Sequence, residues 1–467
     1  QASLCNANIC SFFSSLLVRS SRATRLLVRD VVIAVDGVDY VAGERGYRML
    51  RAEFVRDQAE RCRAEGLSYL AVHNHLGLNQ VRFSQDDFAS HERGYPALLQ
   101  VVDAPVGALV FAEHAVAGDI WLPSGTRVEI EELTVIGRSI EHISSGYLAD
   151  ATSTPDARRH RQSLLFGDEG QRILRDMKIA VIGIGGIGSL LVEFLARLGV
   201  GDLLLVDPDR VTESNLSRVL GSREADICPW LSRSSIPMVR DLGMRLSTPK
   251  VKVGERNCRI AHREGHVLPL LASVTDDFVA RQLMDSDFIF LAADSMQARL
   301  VFNALVHQCL IPGIQVGAKV TVDSSTGSLF DVFSVVRSVT PDRGCLWCNG
   351  LISPTRLAEE AATPAERQAQ RYVDDPDVVA PSVITLNAVA AGRAVDDFLF
   401  AVTGLRDERI DYDYVKYEPT TGDVKKFVAR RDADCSECGL SPSSRFAMGQ
   451  SRRLPTKLSA PRASRRR

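Results

Sequence analysis

A glycine-rich stretch, Gly-Ile-Gly-Gly-Ile-Gly, runs from Gly183 to Gly188 between an apolar run and an amphipathic one. Glycines let a backbone turn tightly and approach a phosphate, and the helix N-terminus that follows offers free N–H groups. We therefore expect Gly183, Gly185, Gly186 and Gly188 to bind phosphates. The alternative is a turn that only lets a helix pack closely on a strand. A second apolar run ends at Asp207, about twenty residues further on, where a carboxylate can bind ribose hydroxyls.

The loop after Asp207 favours ATP over NAD as the source of those phosphates. It reads DPDRVTESNLSR and contains Asp209, Asn215 and Arg218. Arg218 can fork onto phosphate oxygens and Asn215 can donate to them, which a triphosphate needs and a dinucleotide does not. Each of these residues alone is typical of a solvated loop. Their combination favours a nucleoside triphosphate.

Two further charges extend this prediction. Lys250 can add positive charge to the phosphates. Asp294 ends the apolar stretch FIFLAAD, and a carboxylate at the carboxyl end of a parallel strand suits Mg²⁺.

Four of the ten cysteines form two Cys-x-x-Cys pairs, Cys345 with Cys348 and Cys435 with Cys438. Two such pairs fit a tetrahedral zinc site with four thiolate ligands. Two unrelated pairs, or a redox motif, are the alternatives, and the equal inner spacing favours zinc. The other six cysteines are scattered, which is typical of a reducing cytosol.

Near the N-terminus, His73-x-His75 is followed by Ser84-x-x-Asp87. Residues i and i+2 of a strand share a face, so both imidazoles can reach one metal ion. Asp87 can be the third ligand and leave a fourth position for water. Two other interpretations remain open, namely an exposed strand face for the histidines and a helix cap for Ser84 and Asp87.

The elements that must position these residues change character along the chain. Residues 1–147 carry β-rich runs and one helical stretch, which predicts a smaller α+β domain, and residues 148–160 read as a linker. From 161 to 440 strands and helices alternate, which predicts an α/β fold with a Rossmann-like doubly wound sheet. Residues 441–467 contain no acidic residue and many Ser, Pro and Arg. They predict a disordered basic tail.

Composition restricts the class of protein further. Apolar residues make up 45% of the chain and the net charge is −2. Packed cores are therefore expected, and nothing in the overall charge indicates a specific nucleic acid partner. No apolar run reaches the roughly 18 residues that span a bilayer. We expect a cytoplasmic protein without a membrane segment.

The region from about 158 to 439 resembles the ThiF/MoeB/HesA superfamily, which activates ubiquitin-like proteins. The resemblance rests on RHRQSLLFGDEGQ, VIGIGGIG, VDPDRVTESNLSR, TPKV, FLAAD and the paired cysteines. It implies a homodimer that binds ATP and Mg²⁺ and adenylates the C-terminal carboxylate of a partner, releasing pyrophosphate. The partner would be a ubiquitin-like or sulfur-carrier-like protein or a peptide.

The resemblance also implies a role for each site residue. By this resemblance Asp207 would bind the ribose and Asp294 would bind magnesium. The four paired cysteines would bind a structural zinc ion. Arg161 would contact the phosphates across a dimer interface. The triphosphate would be held by three residues, Asn215, Arg218 and Lys250. Extra residues between Arg218 and Lys250 depart from the compact family pattern, so Lys252 competes with Lys250 for this role.

Many members of this superfamily pass the activated partner to a cysteine between the two cysteine pairs. No cysteine lies from Asn349 to Asp434. We therefore expect adenylation alone, with another acceptor attacking the acyl-adenylate. An NAD-dependent oxidoreductase and a non-catalytic scaffold for a ubiquitin-like protein are the rival hypotheses.

The stretch around His73 resembles the JAMM/MPN fold of zinc isopeptidases. The resemblance implies zinc ligation by His73, His75 and Asp87 and support of an oxyanion by Ser84. Leu76 replaces the usual proline after the second histidine. The expected arrangement is therefore a JAMM-like domain, intact or degenerate, ahead of the adenylation domain.

The JAMM general base, an upstream glutamate, is not found in LCNANICSFFSSLLV. Glu44 and Glu53 lie too close to the histidines in sequence. The chain begins with Gln1 rather than Met, so this base is expected to be lost or removed with a truncated start. The domain order suggests that the first domain trims a partner and the second activates it.

Overall fold

The computed structural model describes residues 18–19, 24–41, 49–146, 158–322, 328–361 and 381–457. The chain divides into two compact units. Unit one comprises residues 1–135, 140–152 and 447–452, and unit two comprises residues 136–139, 153–446 and 453–467. None of the helices within the described residues is long and apolar enough to cross a membrane.

Unit one contains a four-stranded sheet and two helices. Its elements are β1 (Val18–Arg19), β2 (Thr24–Arg25), α1 (Ala52–Glu65), β3 (Tyr69–Asn74), α2 (Gln85–Val102), β4 (Val106–Phe111), β5 (Val116–Trp121), β6 (Arg127–Ile130), β7 (Glu132–Ile136) and β8 (Ile140–Ser144). Strands β3 to β6 pair in sequence order; β3 and β4 are parallel, and the other two pairings are antiparallel. This is the α+β arrangement that the sequence predicts.

Side chains alternate between the two faces of this sheet, as the period of two residues requires. On one face Tyr69, Ala108 and Val110 pack with residues of α1 and α2. On the other face Leu70 and Leu109 pack with the remaining strands. Two of the predicted metal ligands, His73 in β3 and Asp87 in the first turn of α2, therefore come from elements that share one hydrophobic core, and His75 directly follows β3.

Unit two is built on an eight-stranded sheet covered by helices. Its first half consists of α3 (His160–Asp176), β9 (Lys178–Ile182), α4 (Gly186–Leu198), β10 (Asp202–Val206), α5 (Pro229–Ser232), α6 (Pro237–Leu246), α7 (Lys250–Ala261), β11 (His266–Leu270) and α8 (Asp277–Leu283). Its second half consists of β12 (Phe288–Leu291), α9 (Met296–Cys309), β13 (Gly313–Val322), β14 (Leu329–Val339), α10 (Pro354–Ala361), α11 (Ile384–Val402), β15 (Tyr414–Glu418) and β16 (Asp423–Phe427).

The strand order confirms the Rossmann-like prediction. It runs β11-β10-β9-β12-β13-β14-β15-β16, with parallel pairing from β11 to β13 and antiparallel pairing beyond. The first strand of the unit, β9, lies between β10 and β12, so the chain reverses direction across the sheet there. Ligands of such sheets bind at the carboxyl ends of the strands beside this switch point. The glycine loop and Asp207 both follow strands at this place.

The disorder predicted for 441–467 is wrong for residues 441–457. The guanidinium of Arg445 is buried, and its Nε lies 3.0 Å from Glu437 Oε2. Its Nη1 also donates to Gln308 Oε1 at 2.6 Å. The composition of a segment rich in Ser, Pro and Arg, considered alone, predicts a disordered segment exposed to solvent. Arg445 pairs with a carboxylate that is itself buried, so the chain around Arg445 is packed within unit two.

We expect Arg445→Ala to lower the free energy of unfolding by about 3 kcal/mol, because it leaves the Glu437 carboxylate buried without its partner. Chemical denaturation followed by circular dichroism measures this. Gln450→Ala, in the same segment but exposed, should change the value by less than about 0.5 kcal/mol. Equal, negligible effects of both substitutions would mean that the segment does not contribute to the fold.

Candidate active site and metal centres

The glycine loop is shaped by two close backbone approaches. Gly183 has φ +89°, and a Cβ there would lie 2.8 Å from the backbone nitrogen of Ala293. A Cβ on Gly188 would lie 1.8 Å from the Gly183 carbonyl oxygen. A Cβ on Gly185, by contrast, would meet nothing within 4 Å, and no side chain caps α4 at this residue. The loop thus leaves open space beside the uncapped N-terminus of α4, as an anion site requires.

Two side chains pack against the next glycine. A Cβ on Gly186 would lie 2.4 Å from Asn387 Nδ2 and 3.5 Å from Arg218 Cδ. Arg218 therefore lies beside the glycine loop. Asn387, a buried residue of α11, is a site neighbour that sequence reasoning missed. It stands far along the chain in a helical stretch, and only the tertiary fold reveals its position.

Asp207 connects the glycine loop to the following segment. It is 4% exposed, and its Oδ2 accepts a hydrogen bond from the backbone N–H of Ile184 at 2.6 Å. Its Oδ1 accepts from the N–H of Asp209 at 2.8 Å. Burial raises the pKa of Asp207, while the positive charge of Lys250 acts in the opposite direction. Each carboxylate oxygen keeps a lone pair with which a hydroxyl can bond.

Lys250, not Lys252, faces the predicted phosphate site. Lys250 begins α7, and its Nζ lies 2.7 Å from Asp209 Oδ2. Lys252 instead pairs with Glu255 and is 54% exposed. A cation in the first turn of a helix opposes the helix dipole, so Lys250 is favourable only beside an anion. Asp209 supplies one, and a phosphate can supply another.

A cavity of about 600 Å³ gathers four of the predicted residues, Asp209, Asn215, Arg218 and Lys250. Its wall is completed by Pro208, Arg210, Val211, Thr212, Asp241, Met244 and Arg245. Arginine and lysine outnumber aspartate in this lining, which suits a polyanionic ligand. Asp241, Met244 and Arg245 lie on the insertion that the sequence identified only as a departure from a compact pattern.

Within the cavity the polar groups are held by neighbouring backbone. Asn215 is buried, and its Oδ1 accepts from the N–H of Thr212 at 3.2 Å, which leaves its amide group to donate elsewhere. Arg218 donates to the Ser214 carbonyl oxygen at 2.9 Å. These bonds orient both side chains before any ligand binds.

Arg161 and Asp294, predicted to contact the phosphates and magnesium, do not line this cavity. Arg161 is exposed in the first turn of α3. Asp294 is exposed after β12, close enough to Arg299 to oppose the lowering of its pKa by burial. The structure therefore places Asp294 at the carboxyl edge of the sheet, but it does not bring it together with Lys250.

The two Cys-x-x-Cys pairs meet, as predicted. The Sγ atoms of Cys345 and Cys435 are 3.8 Å apart, those of Cys348 and Cys438 are 3.6 Å apart, and all four lie within 4.8 Å of one another. Tetrahedral bonds of about 2.3 Å to zinc place sulfurs about 3.8 Å apart. Hydrogen bonding with Cys345 lowers the pKa of Cys438 to about 5. The donor set and its spacing thus fit zinc.

The N-terminal ligand set also comes together. His73 Nε2 lies 3.4 Å from Asp87 Oδ1, and His75 Nε2 lies 3.3 Å from Asp87 Oδ2. The two Nε2 atoms are 3.2 Å apart. Burial lowers the pKa of His73, which keeps its imidazole neutral and able to bind a metal near pH 7.

The helix-cap interpretation of Ser84 and Asp87 is confirmed as well. Asp87 N–H donates to Ser84 Oγ at 3.1 Å, and Asp87 Oδ2 accepts from the Ser84 N–H at 2.8 Å. The cap fixes the carboxylate while its oxygens remain beside the histidines, so the two interpretations are compatible. Glu53 is exposed on α1. Glu44 and the side chains of LCNANICSFFSSLLV, where the base was sought, lie outside the described residues.

Comparisons with known proteins show which family unit two resembles. A profile of the ThiF family matches residues 158–437. The sulfur carrier protein ThiS adenylyltransferase of Bacillus subtilis is 25% identical over 60% of this chain and 71% of its own length. The molybdopterin-synthase adenylyltransferase of Salmonella typhimurium is 25% identical over 62% of this chain and its full length. The SAMP-activating enzyme E1 of Haloferax volcanii is 27% identical over 43% of this chain and 63% of its own length.

The family profile covers more than half of the chain and includes the glycine loop, Asp207, the cavity and three of the four clustered cysteines, with Cys438 directly after its end. The relatives named above are adenylating or activating enzymes of this group. The chain belongs to the ThiF family and is an adenylyltransferase of that type.

Proposed function

We propose that this protein binds ATP in unit two and adenylates the C-terminal carboxylate of a ubiquitin-like or sulfur-carrier-like protein or a peptide. The observation that carries the proposal is the cavity in which Asn215, Arg218 and Lys250 lie together, with Arg218 also against the glycine loop. A polyphosphate extending from the loop into this cavity would meet a cationic lining. Two relatives support this class of partner, because their names describe adenylation of the sulfur carrier protein ThiS and activation of SAMP.

The chemistry needs alignment and positive charge more than a base. The carboxylate of the partner attacks the α-phosphorus of ATP, a new P–O bond forms, and the bond to the β-phosphate oxygen breaks to release pyrophosphate. The attacking group is already an anion, so no proton has to be removed. Arg218 and Lys250 can neutralise the charge that accumulates on the pyrophosphate, and the fixed loop can hold the α-phosphate in line.

The remaining residues have roles within this proposal. Asp207 would bind the ribose through the free lone pairs of its carboxylate. Asp294 would hold Mg²⁺, which supplies charge neutralisation of the phosphates when bound. Arg161, exposed on α3, would reach the phosphates of a second copy in a homodimer. No cysteine lies from Asn349 to Asp434, so the acceptor would attack the acyl-adenylate without a thioester in that segment.

Two rival functions explain fewer of these features. An NAD-dependent oxidoreductase gives no role to the cationic cavity or to the four-cysteine cluster. A scaffold that has lost nucleotide binding gives no reason for the pre-oriented Asn215 and Arg218 side chains.

We expect Arg218→Ala to weaken ATP·Mg²⁺ binding by about 10- to 100-fold, because it removes charge-assisted bonds to phosphate while the ribose site is kept. Calorimetric titration with ATP·Mg²⁺, adenosine and NAD measures this. Adenosine affinity should be unchanged, as should ATP affinity in Arg223→Ala, a nearby exposed arginine outside the cavity. NAD binding that is indifferent to Arg218 would make the protein a dinucleotide enzyme.

The four-cysteine cluster would hold one structural zinc ion, which would tie the segments that carry the two cysteine pairs to each other. We expect Cys438→Ser to lose one zinc per chain in elemental analysis and to lower the free energy of unfolding by more than about 3 kcal/mol. Cys309→Ser, a buried cysteine outside the cluster, should keep its zinc. Unchanged zinc content in the Cys438 variant would refute the site.

We further propose that unit one is a JAMM-like domain that binds a divalent metal through His73, His75 and Asp87. The three ligand atoms converge, and a fourth position can take water. If the domain keeps peptidase activity, it would expose the C-terminal glycine that unit two activates.

We expect His75→Ala to lose one metal ion per chain, separate from the zinc of the cysteine cluster, because two ligands bind a divalent ion much more weakly than three. Elemental analysis of the purified full chain measures this. His114→Ala, an exposed histidine outside the ligand set, is the matched control. Equal metal content in both variants would rule out the site, and a single-turnover assay without cleavage of ubiquitin-like precursors would count against coupled processing.

A further inference from the structure

One wall of the cavity is formed by α6, a helix of the insertion between Arg218 and Lys250. Its lining residues are Asp241, Met244 and Arg245. Positions separated by three and four residues lie on the same face of a helix, so one continuous face of α6 is turned to the cavity. The insertion is therefore part of the site rather than a distant surface feature.

The other cations of the cavity already have protein partners. These are Arg210 with the carbonyl oxygen of Ser247 (2.6 Å), Arg218 with that of Ser214 (2.9 Å) and Lys250 with the carboxylate of Asp209 (2.7 Å). Part of their hydrogen-bonding capacity is therefore used within the protein. A tightly held triphosphate would gain from a cation whose donors are all available.

Arg245 is such a cation. Among the residues that the structure describes, none forms a hydrogen bond or ion pair with the guanidinium of Arg245, although this side chain lines the cavity. Asp241 lies four residues earlier on the same helix face, an arrangement that favours an ion pair, yet none forms. All five N–H donors of the guanidinium are free to bind an anion in the cavity.

We propose that Arg245 binds the β- and γ-phosphates of ATP and the pyrophosphate that they become. Asp207, which would bind the ribose, does not line this cavity, whereas Arg218 and Lys250 do. The cavity is thus the phosphate end of the nucleotide, and the insertion supplies a contact to the leaving group. The inference rests on the proposed adenylation and names a further residue for that reaction.

The test is calorimetric titration of the full-length protein with ATP·Mg²⁺, pyrophosphate·Mg²⁺ and AMP. Arg245→Ala should weaken ATP and pyrophosphate binding by about tenfold, the usual effect of losing a charged hydrogen bond. AMP, which lacks the β- and γ-phosphates, should bind as it does to the wild type. Arg245→Lys should recover part of the loss, because it keeps the charge but not the planar fork. Arg240→Ala, on the same helix but outside the cavity, should bind all three like the wild type.

Three results would overturn the inference. Equal weakening of AMP and ATP by Arg245→Ala would mean that Arg245 acts on the fold or on the nucleoside. Unchanged ATP and pyrophosphate binding in that variant, with normal binding by the wild type, would remove Arg245 from the site and leave the proposed function intact. Failure of the wild type to bind ATP or pyrophosphate would remove the proposed function and this inference together.

Discussion

The buried carboxylate of Asp207 organises the site of unit two. Its two oxygens accept backbone hydrogen bonds from Ile184, within the glycine loop, and from Asp209, within the next loop. One side chain therefore bonds to both the glycine loop and the segment that leads into the cavity. Since Asp209 in turn pairs with Lys250, the start of α7 is placed by the same chain of contacts.

This arrangement has an energetic cost that a ligand can offset. Burial disfavours the charged form of Asp207, which is why its pKa is raised. Lys250 stands at the positive end of a helix dipole. The positive charge of Lys250 stabilises the ionised form of buried Asp207, and the negative charge of Asp207 stabilises Lys250. Phosphate oxygens can stabilise Lys250 further. Such mutually dependent groups are typical of a site that is formed before its ligand arrives.

Short sequence motifs correctly predicted the position of residues whose structure depends on their neighbours in the sequence. Gly183 and Asp207 could be assigned because a tight turn after a strand and a carboxylate at the end of the next strand are encoded within about thirty residues. Asn387 and Arg245 could not, because their positions depend on how α11 and the insertion pack. The prediction of disorder for residues 441–457 was wrong for the same reason. The partners of Arg445 lie on α9 and inside the second cysteine pair, and nothing in a Ser- and Arg-rich stretch indicates them.

Arg445 and the cysteine cluster are connected through one buried polar group, the carboxylate of Glu437. Glu437 lies between Cys435 and Cys438 of the cluster and pairs with Arg445. The same glutamate lies 3.5 Å from Asn303 Nδ2, and Asn303 Oδ1 accepts from the N–H of Leu346, within the first cysteine pair. Because Leu346 and Glu437, which each lie inside one pair, both bond to Asn303 on α9, the helix can bring the two pairs to the right spacing before a metal binds. The metal would then lock an arrangement that the buried hydrogen bonds already favour, instead of creating it.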